Sequence, residues 1–226
     1  MKFAAFETST EWCSVALWLD GEVRALEERA GNRHAELVLP MLQALLAQAG
    51  IGAAALEAVA FGAGPGSFTG LRIACGAAQG VALARGVPAL GVSSLEALAE
   101  ESGAARVVAC LDARMREVYY CALEKDLRRA VVRWREVIAA QCVAPAQAPL
   151  PPGPGWLACG NGFAAYGDVF RERFAEMRPE VHPSAVAVAR LAAPRLGAGE
   201  GVDAALAAPS YLRDKVALTT EERARR

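Results

Sequence analysis

The fold of this chain is decided by the stretch Gly62-Ala63-Gly64-Pro65-Gly66-Ser67-Phe68-Thr69-Gly70-Leu71-Arg72. An apolar run at residues 58–61 precedes it and a long helical pattern follows, which predicts strand, glycine turn and helix. Glycine accepts positive φ and close approach, and Ser67 is a good N-cap. Two interpretations stay open. Gly64, Gly66 and Ser67 cradle an anion at the helix N-terminus, or they form a tight connection without a ligand.

The stretch does not match the consensus phosphate-binding loops. Gly-Lys-Ser/Thr occurs nowhere in the chain, and three residues rather than two separate Gly66 from Gly70. The sequence therefore excludes a lysine-dependent P-loop NTPase and fails the Gly-x-Gly-x-x-Gly pattern of dinucleotide-binding proteins.

Composition limits the class of protein. The 226 residues include 24 basic and 25 acidic side chains, so the net charge of −1 gives no global attraction for nucleic acid, and any RNA contact is local or supplied by a partner. The six cysteines form no Cys-x-x-Cys pair, which argues against a zinc site or a disulfide framework. No apolar run has the length of a membrane span and the N-terminus lacks a signal-peptide pattern, so we predict a cytoplasmic protein without membrane contact.

The order of predicted elements repeats once along the chain. Each half begins with a strand, a carboxylate, a tight turn, two further strands and a helix, which predicts two βββαβα lobes with mixed sheets. This is the bilobal plan of the actin-like ATPase (ASKHA, ribonuclease H-like) α/β fold. We expect an N-terminal lobe at residues 1–104, to which residues 209–226 return, and a C-terminal lobe at 105–208. The predicted strands are 2–8, 13–19, 22–29, 56–61 and 89–92, then 106–111, 117–123, 130–137 and 156–159; the long predicted helices are 33–49 and 67–85.

A carboxylate ends the first strand of each half. In actin-like folds this position faces the cleft between the lobes, so the topology places Glu7 and Asp112 where a nucleotide or metal would bind. The alternative is that both are ordinary acids at strand ends, facing solvent.

Several segments together resemble the bacterial TsaB (YeaZ) family, and they occur in the same order from end to end of the chain. They include Glu7-Thr8-Ser9-Thr10-Glu11, Asp112-Ala113-Arg114-Met115 and Pro209-Ser210-Tyr211-Leu212-Arg213, besides residues 13–17, 64–73, 91–95 and 117–119. One position departs from the pattern, because the family commonly has Asp where this chain has Glu7. The longer side chain puts a nucleotide contact there in doubt.

The resemblance implies a role in making threonylcarbamoyladenosine next to the tRNA anticodon. In that family the chain is the non-catalytic partner of TsaD, the related metal-bearing subunit that transfers the threonylcarbamoyl group from its adenylate. The implied partners are TsaD in a heterodimer, TsaE in a ternary complex and tRNA through the complex, with a homodimer when the chain is alone. No cofactor is required, although a weak or interfacial adenine nucleotide is compatible with the resemblance.

The two histidines do not predict a catalytic centre. TsaD holds its metal with two histidines one helical turn apart, whereas here the residue one turn after His34 is Val38, which cannot bind metal. We read His182 as a solvated loop residue, and neither histidine accompanies a nucleophile motif, so peptidase activity is not expected. The alternative function is a free-standing ATP-binding actin-fold enzyme that uses Glu7, Asp112 and the glycine turn.

The two long helices predict a docking surface. Both are apolar or small on more than one face, so each needs a cover besides its own sheet. That cover is either a neighbouring helix of the same lobe or another subunit, and closely approaching helices favour small residues. The predicted interface residues are Leu42, Ile73, Gly76, Ala77, Gly80 and Ala84.

Overall fold

Two five-stranded mixed sheets organise the molecule in the computed structural model, which describes residues 1–126 and 133–213. In the first sheet, β1 pairs antiparallel with β2 and parallel with β4, so the hairpin strands lie on one side of β1 and the crossover strands on the other. Its strands are β1 (Lys2–Glu7), β2 (Trp12–Leu19), β3 (Glu22–Arg29), β4 (Ala58–Gly64) and β5 (Ala89–Ser93), in the order β3-β2-β1-β4-β5.

The second sheet repeats this plan. Its order is β8-β7-β6-β9-β10, with β6 antiparallel to β7 and parallel to β9, which is the first sheet's arrangement strand for strand. The predicted α/β fold with two duplicated mixed sheets, the actin-like arrangement, is thereby confirmed. The strands are β6 (Arg106–Arg114), β7 (Glu117–Lys125), β8 (Trp134–Val143), β9 (Leu157–Cys159) and β10 (Glu176–Arg178).

Capping residues mark several of the helix ends. Ser67, Ser93 and Ser184 each accept a backbone N–H in the first turn of the following helix, and several helices end at a left-handed glycine such as Gly50 or Gly86. Among the described residues, none of the helices combines the length and the apolar character needed to cross a bilayer. The helices are α1 (His34–Ala49), α2 (Phe68–Arg85), α3 (Ser94–Ser102), α4 (Asn161–Ala165), α5 (Gly167–Phe170) and α6 (Ala185–Gly197).

The second unit departs from the prediction in three places, and one of them is its strand β10, which was not among the predicted strands. Where the first unit has α1, the second has one 3-10 turn, Pro145–Gln147, because its proline-rich segment cannot supply helical N–H donors. Its third strand, expected at residues 130–137, is Trp134–Val143, since it pairs with β7 from Lys125 back to Val118. Residues 130–132 of that expectation lie outside the described residues.

Helices α3 and α6 connect the two sheets. The helix α6 follows the second sheet in sequence but packs against β1, β2 and β4 of the first, while α3 packs against β6, β7 and α6. Ser14 Oγ accepts the N–H of Ala185 at 3.0 Å, which fixes the start of α6 on β2. One core cluster accordingly contains buried residues of both sheets. The lobe boundary at residues 104 and 105 stays a prediction.

The chain after α6 remains on the first sheet. Val202 exchanges two backbone hydrogen bonds with Ala89, at 2.8 and 2.9 Å, and so covers the edge of β5. Further along, the N–H of Ser210 donates to the carbonyl of Ala63 at 2.7 Å, beside the glycine turn. Residues 214–226, which complete the segment expected to return to the first lobe, lie outside the described residues.

Candidate functional site

A cleft of 590 Å³ opens between the two sheets. Its walls come from the β1–β2 turn, the start of α1, the N-terminus of α2, the β6–β7 turn and the start of α4. Tyr211 and Arg213, near the end of the described chain, complete its mouth. The duplicated topology therefore brings the corresponding turns of both units to one place.

Three of the five residues predicted for this cleft line it, namely Gly66, Ser67 and Asp112. Glu7 does not, because its side chain is buried, with 1% of its surface exposed. Its carboxylate accepts the Ser9 N–H at 2.6 Å and the Ser94 hydroxyl at 3.1 Å. Burial raises the pKa of Glu7 and outweighs these hydrogen bonds, which lower it. Glu7 thus links the β1–β2 turn to the start of α3.

The glycine turn is packed against the chain itself. Gly64 has φ +115° and lies behind the cleft, where a Cβ would come 2.6 Å from the carbonyl oxygen of Ser210. A Cβ on Gly66 would come 2.5 Å from the Cβ of Ser9, and one on Gly70 would overlap the carbonyl oxygen of Thr8. Hydrogen bonds of 2.7 Å, from Ser67 N to Ser9 O and from Thr8 Oγ1 to Gly70 O, close the contact. The β1–β2 turn occupies the space that Gly66 and Gly70 leave; anion binding here stays a prediction.

Asp112 belongs to a polar chain that crosses the cleft. Its backbone N–H donates to Asn161 Oδ1 at 2.9 Å, and Asn161 Nδ2 lies 3.4 Å from Glu11 Oε2 of the first unit. Its carboxylate accepts the Arg114 N–H at 2.8 Å and pairs with the Arg114 guanidinium at 3.1 Å. Across the described ranges 1–126 and 133–213, no group of three or more His, Cys, Asp or Glu residues has the arrangement of a metal site.

The two histidines have defined structural partners. His34 is buried, with Nε2 2.9 Å from the carbonyl oxygen of Thr10, while Val38 lies in the core of the first unit. Our prediction that His182 is a solvated loop residue was wrong. Its ring stacks on Trp12, with centroids 4.4 Å apart and planes 6° from parallel, and its Nε2 lies 2.9 Å from a Glu27 oxygen. Sequence reasoning missed this contact because Trp12 lies far from it along the chain.

A second, apolar groove of 260 Å³ runs between α1 and α2. Four of the six predicted interface residues line it. Leu42 instead lies in the core, 4% exposed, and Ile73 lines the cleft. Nothing lies within 4 Å of where a Cβ on Gly76 or Gly80 would be, so no part of the described chain covers this face of α2. The predicted residues in the groove are Gly76, Ala77, Gly80 and Ala84, joined by Leu39, Ala53, Val81 and Arg85.

The sequence carried a signal for one groove residue that the prediction omitted. Leu39 is apolar yet falls outside the core-facing side of its helix, and it is 46% exposed in the groove. Leu83, on α2, is 60% exposed. Leu39 extends the apolar lining of the groove, and contiguous apolar surface of this kind marks contact sites.

Comparison with known proteins places the chain among tRNA-modification proteins. Residues 27–221 match the family model described as "TsaD: tRNA N6-adenosine threonylcarbamoyltransferase". The tRNA threonylcarbamoyladenosine biosynthesis protein TsaB of Escherichia coli K12 is 37% identical over 224 residues, 96% of either chain. The Haemophilus influenzae TsaB is 37% identical over 221 residues, covering 94% of this chain and 93% of the relative. The solved structure of YeaZ from Pseudomonas aeruginosa superposes with a TM-score of 0.84 at 37% identity, covering 93% of this chain and 99% of the other.

Proposed function

Because the chain belongs to the TsaB family of tRNA threonylcarbamoyladenosine biosynthesis proteins, we propose that it is a non-catalytic accessory subunit that binds and positions TsaD. TsaD transfers the threonylcarbamoyl group to adenosine next to the tRNA anticodon, in the cytoplasm. TsaE joins in a ternary complex, and the chain forms a homodimer when TsaD is absent. The observation that carries the proposal is the open, glycine-floored groove beside α2.

The groove suits a helix as its occupant. With only hydrogen atoms at Gly76 and Gly80, a partner helix approaches to the short end of the usual interaxial distance of about 8–10 Å. The family model that describes the transferase spans α1 and α2 of this chain. A related subunit therefore offers helices of the same kind, which makes TsaD a fitting occupant.

The histidine environment supports a role other than catalysis. A metal bound by two ligands one helical turn apart would need its second ligand at Val38, which is aliphatic and 3% exposed. The His34 nitrogen nearest the turn is already engaged by the Thr10 carbonyl. A subunit built in this way contributes surface to a complex and leaves metal chemistry to its partner.

Substitution of Gly80 by leucine tests the proposal. The leucine projects into the groove, so we expect loss of the TsaD complex in gel filtration. The free energy of unfolding stays the same or rises by up to about 1 kcal/mol, since leucine is the better helix former. Gly197→Leu is the matched control, because Gly197 is also helical with open space beside it. A Gly80→Leu chain that still forms the complex contradicts the proposed interface.

Titration with ATP and magnesium tests the alternative of a free-standing ATP-binding enzyme. The proposed accessory role needs no cofactor, and Glu7 faces the core rather than the cleft. We expect no tight, magnesium-dependent site on the isolated chain. A micromolar site that requires magnesium would favour the enzyme instead.

A further inference from the structure

The turn between β6 and β7, at the mouth of the cleft, has a strained backbone. Arg114, Met115 and Arg116 have φ values of 60°, 53° and 63°, a region that residues other than glycine and asparagine rarely adopt. Three such residues in succession cost free energy, and proteins keep strain of this kind mainly at functional positions. All three side chains are exposed, that of Arg114 by 86%. The strain therefore presents two guanidinium groups and a thioether to solvent.

Arg213 holds this turn in place. Its guanidinium forms an ion pair with Glu117 and lies 3.5 Å from the carbonyl oxygen of Arg114 and 3.4 Å from Met115 Sδ. Arg114 itself pairs with Asp112. In the part of the chain that the structure describes, Arg116 has no ion-pair partner. Asp112 and Glu117 are thus paired with Arg114 and Arg213, whereas the Arg116 guanidinium forms no ion pair within the described residues.

An aromatic pair lies next to the turn, on the first unit. Tyr211 is 44% exposed, and its ring centroid is 5.6 Å from that of Phe68. The Arg72 guanidinium lies 3.7 Å from the Phe68 centroid, and its Nε donates to the Tyr211 hydroxyl at 3.2 Å. Tyr211 lines the same cleft as Arg114, Met115 and Arg213, so the aromatic pair lies beside the turn.

We infer that this cleft rim, formed by Arg72, Arg114, Met115, Arg116, Tyr211 and Arg213, binds single-stranded RNA directly. Guanidinium groups bind phosphates, and an exposed ring beside them stacks on an unpaired base. The chain's net charge is −1, so binding depends on this local group of arginines. The inference goes beyond the proposed accessory role, because it assigns RNA contact to this chain as well as to its partner.

Fluorescence anisotropy with labelled tRNA and with labelled oligouridylate tests the inference on the full chain. We expect the Arg114→Asn/Arg116→Asn double variant to bind roughly tenfold more weakly. Its log–log salt slope between about 50 and 200 mM salt should be smaller by about 1.4, which corresponds to two phosphate contacts. Asparagine tolerates the left-handed conformation, so the melting temperature should not fall. Tyr211→Ala should weaken binding roughly tenfold with an unchanged salt slope.

Arg171→Asn is the matched control, because Arg171 is also exposed and paired with a nearby aspartate, Asp168. The inference fails if the wild-type chain binds neither RNA, if the double variant binds as well as wild type, or if Arg171→Asn loses as much affinity. It also fails if polyglutamate displaces the RNA while Tyr211→Ala has no effect, since the rim then serves an acidic protein. Complex formation with TsaD, measured separately, should survive the double variant, so failure here is distinct from failure of the accessory role.

Discussion

Single residues in this protein show how one amino acid serves opposite purposes at two positions of the same helix. Gly70 and Gly76 both lie in α2, but Gly70 faces the Thr8 carbonyl while Gly76 faces open space. Glycine is required at the first position by the chain's own packing. At the second position nothing in the described chain requires glycine.

This difference predicts that a change of glycine to alanine has opposite effects on stability at the two positions. Gly70→Ala forces a methyl group onto the Thr8 carbonyl and should lower the free energy of unfolding by about 1–3 kcal/mol. Gly76→Ala, the matched control in the same helix, should raise it by about 0.5–1 kcal/mol, since alanine favours the helix. Urea unfolding of both variants measures the two signs. A stable Gly70→Ala variant would contradict the packing described for the glycine turn.

Glu7→Gln is a second test at the residue scale. Because burial raises the pKa of Glu7 above its ordinary 4.5, the folded chain binds the proton more tightly than the unfolded chain. Stability contributed by this group therefore falls as the pH rises from 4.5 to the raised pKa, and glutamine removes that fall. We expect the free energy of unfolding of the variant to rise relative to that of wild type as the pH rises over this window. A parallel pH dependence of Glu7→Gln and wild type would refute the prediction.

At the scale of elements, local chemistry accounts for what could be predicted. A glycine marks the end of α1, α2 and α3, and a serine marks the start of α2 and α3, because capping depends on neighbours in sequence. Contacts between distant segments could not be read this way. The burial of Leu42 and the stacking of His182 on Trp12 both depend on which elements meet. The cleft was foreseen from the repeated order of strands, but the burial of Glu7 was not.

The segment between β10 and α6 should respond to pH through His182. Burial lowers its pKa, but hydrogen bonds to Glu27 and to the Glu180 carbonyl, with the charges of Glu27 and Glu101, raise it above the ordinary 6.5 overall. A raised histidine pKa stabilises the fold fully below 6.5, and this stabilisation is lost as the pH rises through the raised value. Wild type should therefore exceed His182→Gln in stability more at about pH 6 than at about pH 8.5. Urea midpoints that differ equally at both pH values would disprove the link.

At the scale of the whole molecule, α3 and α6 give the two units a shared core cluster beside the separate core of each unit. Because α6 lies on the first sheet and α3 on the second, neither sheet keeps its cover without residues from the other half. Calorimetry should show one unfolding transition, with calorimetric and van't Hoff enthalpies equal. Leu191→Ala, in the shared core cluster, should lower the free energy of unfolding by about 2–5 kcal/mol and move the single transition as a whole to lower temperature. Two transitions, of which only one moves, would mean that the units unfold independently.

The glycine-floored groove has a consequence for how much of this chain a cell makes. A copy without a partner leaves Leu39, which lines the groove with Gly76 and Gly80, exposed to water. Uncovered apolar surface promotes self-association, and the proteases of quality control act on the same kind of surface. Under the proposed accessory role, surplus copies should therefore have shorter lifetimes than copies bound to TsaD, which would favour balanced synthesis of the two subunits.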